Sequence, residues 1–171
     1  MSAYVVQDFL TGAECSDIVE SYRVTDEGQA ATIRSVRRST IAFLSEERTE
    51  KLRAKVWKAL VRANHLTGDF SISSMEPLQL ARYGKGDYYG QHLDIGPGKA
   101  RMRKLSVSIQ LSDAQSYDGG DLVMWGHQVP MERSRGTLVA FPSYLVHEVT
   151  PVTRGERYSL VAWASGTTPY R

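Results

Sequence analysis

Cysteine, histidine, net charge and long apolar runs are all scarce in this chain of 171 residues. The single cysteine, Cys15, cannot close an internal disulfide, which excludes a cystine-stapled scaffold and fits a reducing cytosol. No partner that would make Cys15 a nucleophile stands near it in sequence, so the thiol reads as buried filler. No run of about 18 apolar residues occurs, and no membrane-spanning helix is expected. Met1-Ser2-Ala3-Tyr4 lacks the basic and apolar regions of a secretory leader, and a cytoplasmic protein is the expectation. A net charge of +2 is too small to argue for nucleic acid. No internal repeat, low-complexity tract or linker divides the sequence, so residues 1–171 read as one domain.

What is present is ordinary for a soluble fold: 42% hydrophobic and 23% charged residues, in a length that closes one sizeable core. Tyr4 to Leu10 reads as a strand. Thr11-Gly12-Ala13-Glu14 has the spacing of a capping box and predicts a helix from Ala13 to Tyr22. Residues 23–32 are polar, hold Gly28 and read as a loop. The stretch from Ile33 to Leu44 becomes β-like toward its end. Its arginines, Arg34, Arg37 and Arg38, form either a substrate-facing patch or a solvated face. Ser45 opens a second helix over Glu46 to Asn64, with Leu52, Val56, Ala59, Leu60 and Ala63 on one apolar face. Trp57 belongs to its packing, and His65 follows its end as a surface residue.

From Phe70 onward short apolar runs alternate with Gly, Pro, Asp and Ser clusters, the pattern of a β-sandwich or barrel. Gly119-Gly120 predicts a tight turn with positive φ. Within this region lies His92-Leu93-Asp94. Alternate side chains of a strand share a face, so an imidazole and a carboxylate two residues apart can close on one ion. His147 is available as a third ligand. Two histidines and a carboxylate, with open positions opposite, are the ligand set of non-haem Fe(II) oxygenases. Arg157 follows His147 across a turn over Thr150 to Glu156, and a hairpin there would return it to the metal. A guanidinium suits bidentate capture of a carboxylate.

The sequence resembles the Fe(II)- and 2-oxoglutarate-dependent dioxygenases, specifically the prolyl-4-hydroxylase-like branch with its bacterial PKHD-type members. The matching segments are Tyr83 to Asp94, Leu105 to Asp113, Tyr117 to Leu122, Gly136 to Ser143 and His147 to Ser159. The resemblance implies a mostly β (α+β) fold, a double-stranded β-helix or jelly roll over 70–171, buttressed by the two helices and strand of 1–69. It implies Fe(II) on His92, Asp94 and His147, and 2-oxoglutarate held by Arg157 with help from Tyr83. O2 would be the oxidant and ascorbate a candidate reductant. Gln110 stands where oxygen-sensing relatives carry a pocket tyrosine, so co-substrate contacts on that strand fall to Gln110 or Ser108. Tyr89 and Trp163 line the pocket or pack in the core. His127 is a surface residue or substrate contact, not a fourth ligand.

The implied reaction is hydroxylation of a C–H bond with release of succinate and CO2. A peptidyl, foremost prolyl, substrate ranks first, and a free amino acid or other small molecule second. Nucleic acid comes third, and a non-catalytic metal-binding jelly roll is the reading from outside enzymology. The loops at 28–38, 95–104 and 128–135 are the expected selectors.

Overall fold

Thr11 and Glu14 exchange the capping bonds that their spacing predicts. Glu14 N–H donates to Thr11 Oγ1 at 3.1 Å, and Thr11 N–H to Glu14 Oε2 at 2.7 Å. They open helix α1 (Gly12–Ser21), which buries Cys15 and Ile18. The computed structural model describes residues 3–22, 36–125 and 130–170. The loop expected at 23–32, Arg34 and His127 lie outside the described residues. Strand β1 is shorter than expected, Tyr4–Val6, because Asp8 adopts a left-handed φ of 52° and turns the chain toward α1.

The second helix also starts later than predicted. A 3-10 turn at Glu47–Thr49 precedes α2 (Glu50–Thr67), so Ser45 is not its cap. Ser45 instead accepts a 2.6 Å bond at its carbonyl from Thr49 Oγ1. Val56, Leu60 and Ala63 are buried at i, i+4 and i+7, and Leu52, Trp57 and Ala59 flank them half-buried. His65 sits in the last turn rather than past it and meets Asp69 at 3.2 Å on the exposed end. Asn64 finishes the helix with its carboxamide, donating to Phe70 O at 2.7 Å and accepting from Phe70 N–H at 2.8 Å.

Twelve further strands follow among the described residues: β2 (Arg37–Arg38), β3 (Thr40–Phe43), β4 (Ser74–Met75), β5 (Gln79–Tyr83), β6 (Tyr88–His92), β7 (Arg103–Gln110), β8 (Asp118–Gly119), β9 (Leu122–Met124), β10 (Leu138–Pro142), β11 (His147–Val149), β12 (Val152–Arg154) and β13 (Arg157–Ser165). All their pairings are antiparallel. The major sheet runs β1-β10-β7-β13-β5-β3, with β4 also on β13. The minor sheet runs β2-β6-β11-β9, and β8 and β12 form a separate ribbon. This is the two-sheet jelly roll that the resemblance implies. The N-terminal segment contributes strands to both sheets as well as the two helices.

Alternation along the central strands decides where the site can lie. Leu105, Val107 and Ile109 of β7, and Leu160, Ala162 and Ala164 of β13, belong to the core shared with Val56 and Leu60 of α2. The intervening residues point to the other face: Ser106, Ser108 and Gln110 on β7, and Arg157, Ser159 and Trp163 on β13. All six are buried. A second apolar cluster around Ala81, Val139 and Phe141 covers only part of that inner face. A buried but polar sheet face calls for a bound partner, since such groups are costly when unmatched. Among the described residues no helix is long and apolar enough to cross a membrane.

Candidate active site

Strands β6 and β11 pair so that His147 stands directly opposite His92. Each imidazole is aimed by a backbone carbonyl two residues earlier: His92 Nδ1 to Gly90 O at 2.8 Å, and His147 Nδ1 to Leu145 O at 2.9 Å. A carbonyl only accepts, so Nδ1 carries the proton and Nε2 keeps its lone pair in the neutral ring. The two Nε2 atoms face Asp94, at 3.7 Å from Oδ1 for His92 and 3.5 Å from Oδ2 for His147. One donor atom from each of the three residues lies within 4.8 Å of the others.

Asp94 reaches this place by a different route from the strand alternation expected of it. β6 ends at His92, and Asp94 lies in the bend beyond. Its N–H donates to Ser143 O at 3.0 Å, and its carbonyl accepts from Arg103 Nη1 at 3.2 Å. Burial alone would raise the Asp94 carboxyl. The neighbouring His147, the Ser106 hydroxyl and His92 outweigh it and hold the group below the usual carboxylate range. Burial and the adjacent His147 press the His92 imidazole down to about 4, against the opposing pull of Asp94. An ionised oxygen donor and an unprotonated His92 nitrogen at neutral pH suit a divalent ion of the Fe(II) type.

Arg157 is 1% exposed and, among the described residues, forms no ion pair. Its guanidinium donates to Gln110 Oε1 at 2.9 Å and Ser159 Oγ at 3.2 Å, both neutral, and lies 5.5 Å from the Tyr83 ring centroid. A buried cation held only by neutral groups is an anion site in waiting. It lines the same cavity, of about 190 Å³, as His92, Asp94, His147 and Tyr83. The turn expected to carry Arg157 back is not a single hairpin. β12 intervenes and pairs with β8, and only then does β13 begin at Arg157, opposite Tyr83 of β5.

The residues left with two readings divide cleanly. Tyr89 stacks on His92 with ring centroids 3.4 Å apart and planes 8° from parallel, and the Arg37 guanidinium lies 4.6 Å from the Tyr89 ring centroid. Both line the cavity, whereas Arg38 is solvated and paired with Asp87 at 2.9 Å. Trp163 also lines the cavity. Its indole N–H lies near enough to Asp94 to help lower the carboxyl, yet meets no described acceptor at hydrogen-bonding geometry. Gln110 contacts Arg157, and Ser108 lines the cavity. Sequence reading missed Arg103, which grips Glu76 with two 2.7 Å bonds while lying 3.8 Å over the Trp163 ring. It also missed Ser106 and Ser143. The available signal was the alternation Ser106-Val107-Ser108-Ile109-Gln110, which puts polar groups on one face of a central strand.

Comparison with known proteins bears on this geometry. The family model described as the 2OG-Fe(II) oxygenase superfamily matches residues 78–165. A PKHD-type hydroxylase of Hyphomonas neptunium is 37% identical over 141 residues, covering 78% of this chain and 62% of that protein. The chain spans about two-fifths to three-fifths of the length of the curated relatives it matches. Among solved structures, a Pseudomonas putida prolyl-4-hydroxylase gives a TM-score of 0.77 at 26% identity, over 97% of this chain and 93% of that one. A Trichoplax adhaerens prolyl hydroxylase, in complex with a hypoxia inducible factor oxygen degradation domain peptide fragment, gives 0.74 at 22% identity, over 95% and 83%.

Proposed function

The chain belongs to the 2OG-Fe(II) oxygenase superfamily, and from that membership we propose that it hydroxylates a peptidyl substrate, prolyl side chains first. His92, Asp94 and His147 would hold Fe(II), and Arg157 with Tyr83 would hold the distal carboxylate of 2-oxoglutarate. The bound metal and co-substrate supply the oxidising power, converting 2-oxoglutarate and O2 to succinate and CO2 with one oxygen atom placed in a C–H bond.

The protein's own part is position and exclusion of water. Gly90 and Leu145 carbonyls fix the imidazoles by their Nδ1 protons. Gln110 and Ser159 hold the Arg157 fork, so that its charge already points into the cavity before a carboxylate arrives. Tyr89, Phe141 and Trp163 make much of the remaining wall apolar, which strengthens each charge contact inside. An intact carboxylate at Asp94 favours hydroxylation over halogenation, because a halide would need that ligand position. The whole of 1–171 is taken to act as one domain, with 70–171 carrying the chemistry.

The observation that carries this reading is the buried Arg157, without an ion pair among the described residues, sharing a cavity with the His92, Asp94 and His147 cluster. A pure structural metal site has no use for it. The peptide preference rests on the prolyl hydroxylase likeness and on the peptide bound to the Trichoplax enzyme. The test is succinate formation from 2-oxoglutarate with Fe(II), with and without proline-containing peptides, free amino acids and oligonucleotides as separate arms. Peptide-stimulated succinate, with a peptide heavier by one oxygen atom, is expected. His92→Ala and His147→Ala should abolish it. Turnover of 2-oxoglutarate stimulated only by a free amino acid would move the substrate to the small-molecule class, and none at all would remove the oxygenase reading.

A further inference from the structure

Of the three clustered donors, Asp94 alone lies off a strand, and two buried hydroxyls stand behind it. Ser106 Oγ is 2.6 Å from Asp94 Oδ2 and 3.0 Å from Ser143 Oγ. Ser106 is 1% exposed and Ser143 0%. An ionised carboxylate can only accept, so Ser106 must direct its one proton to Asp94. The contact between the two serines then runs the other way, with Ser143 donating to Ser106. Ser143 grips the Asp94 backbone as well: its carbonyl accepts Asp94 N–H at 3.0 Å, while its own N–H is anchored on Lys104 O at 3.0 Å. Main chain and carboxylate of Asp94 are thus both tied to β7, the first through Ser143 and Lys104, the second through Ser106.

A carboxylate on a bend can turn about its last torsion and offer one oxygen or both. A short charge-assisted bond to one oxygen fixes the plane of the group and engages a lone pair on that side. Resting on the reading of His92, Asp94 and His147 as the iron ligands, we propose that Ser106 and Ser143 are positioning residues, acting in series to fix the orientation in which the Asp94 carboxylate meets the metal.

The test is titration of Co(II), whose visible absorption reports coordination number, into the metal-free full chain. Ser106→Ala should lose about tenfold to a hundredfold in Co(II) affinity, the range usual for partners behind a ligand, with altered absorption. Ser143→Ala should shift the same way by less. Ser106→Thr, which keeps the hydroxyl, should restore affinity and absorption toward wild type. Ser106→Ala also removes a buried hydrogen bond and should lower the metal-free thermal midpoint, so Co(II) is titrated well below that midpoint, where the variant is folded. Wild-type affinity and absorption in Ser106→Ala, or failure of Ser106→Thr to restore them, overturns the proposal and leaves the ligand assignment standing. If Ser106→Ala does not fold, Ser143→Ala decides: unchanged affinity and absorption sink the relay. Should the wild type bind no Co(II), or His92→Ala bind it equally well, the ligand assignment itself fails and takes the proposal with it.

Discussion

At the scale of single residues, Arg157 shows how a function can be read from an imbalance. Burying a guanidinium without a carboxylate is costly, and hydrogen bonds to Gln110 and Ser159 satisfy its geometry without neutralising its charge. A dicarboxylate that supplies the missing charge should therefore stabilise the fold by mass action. At a 2-oxoglutarate concentration 100 times its Kd, the gain is about 2.7 kcal/mol. Thermal or urea unfolding of the metal-loaded wild type should show it. Arg157→Gln should lose that gain at the same concentration, and Arg157→Lys should recover only part, because an ammonium lacks the planar fork. An equal gain in Arg157→Gln would take Arg157 out of the site. The residue was legible in sequence by its distance from His147. Its neutral partners divide: Ser159 lies two residues on along β13 and shares its face, whereas Gln110 comes from β7, whose pairing with β13 no local pattern specifies.

At the scale of elements, the chain just after β8 packs against the stem of Arg157. Gly119 and Gly120 hold φ of 69° and 62°, as the paired glycines predict. A Cβ on Gly119 would stand 2.1 Å from Pro151 O. One on Gly120 would stand 2.9 Å from Val152 Cγ2 and 3.1 Å from Arg157 Cδ. Both Gly→Ala changes should cost about 1–3 kcal/mol through backbone strain alone. Only Gly120→Ala should also weaken 2-oxoglutarate, because it presses on the arginine stem. Parallel urea unfolding and 2-oxoglutarate titration separate the two, and equal weakening in both variants would contradict this division. On the far side of the major sheet, Leu60→Ala should cost about 2–5 kcal/mol by opening a cavity under α2. Its 2-oxoglutarate affinity should match wild type, since Leu60 packs on the opposite face from Arg157. Helix α2 was legible because its apolar stripe is local. Its start was displaced because Thr49 bonds back to Ser45 O and builds a 3-10 turn where the sequence places the cap.

At the scale of the whole molecule, the candidate ion would join what the backbone keeps apart. His92 and His147 belong to the minor sheet, and Tyr83 and Arg157 to the major sheet. Asp94 leaves the minor sheet and is tied to β7 of the major sheet through Ser106, Ser143 and Arg103. Sequence order brought the ligands into view, but this crossing depends on pairings between distant strands, such as β11 with β6, which the chain's local pattern leaves open. A metal held by all three residues should therefore stiffen one end of the jelly roll rather than the whole. In hydrogen exchange, Mn(II) in place of a chelator should slow amides around β6, β11 and the 93–95 bend. Amides of β1 and β3, at the outer edges of the major sheet, should exchange at unchanged rates, because no ligand lies on them. Equal slowing across both sheets would point to global stabilisation with no local clamp. Slowing confined to β1 or β3 would place the ion elsewhere. Asp94→Ala sharpens the comparison: with two imidazoles left on a single sheet, protection of β6 and β11 should weaken and that of the bend should vanish.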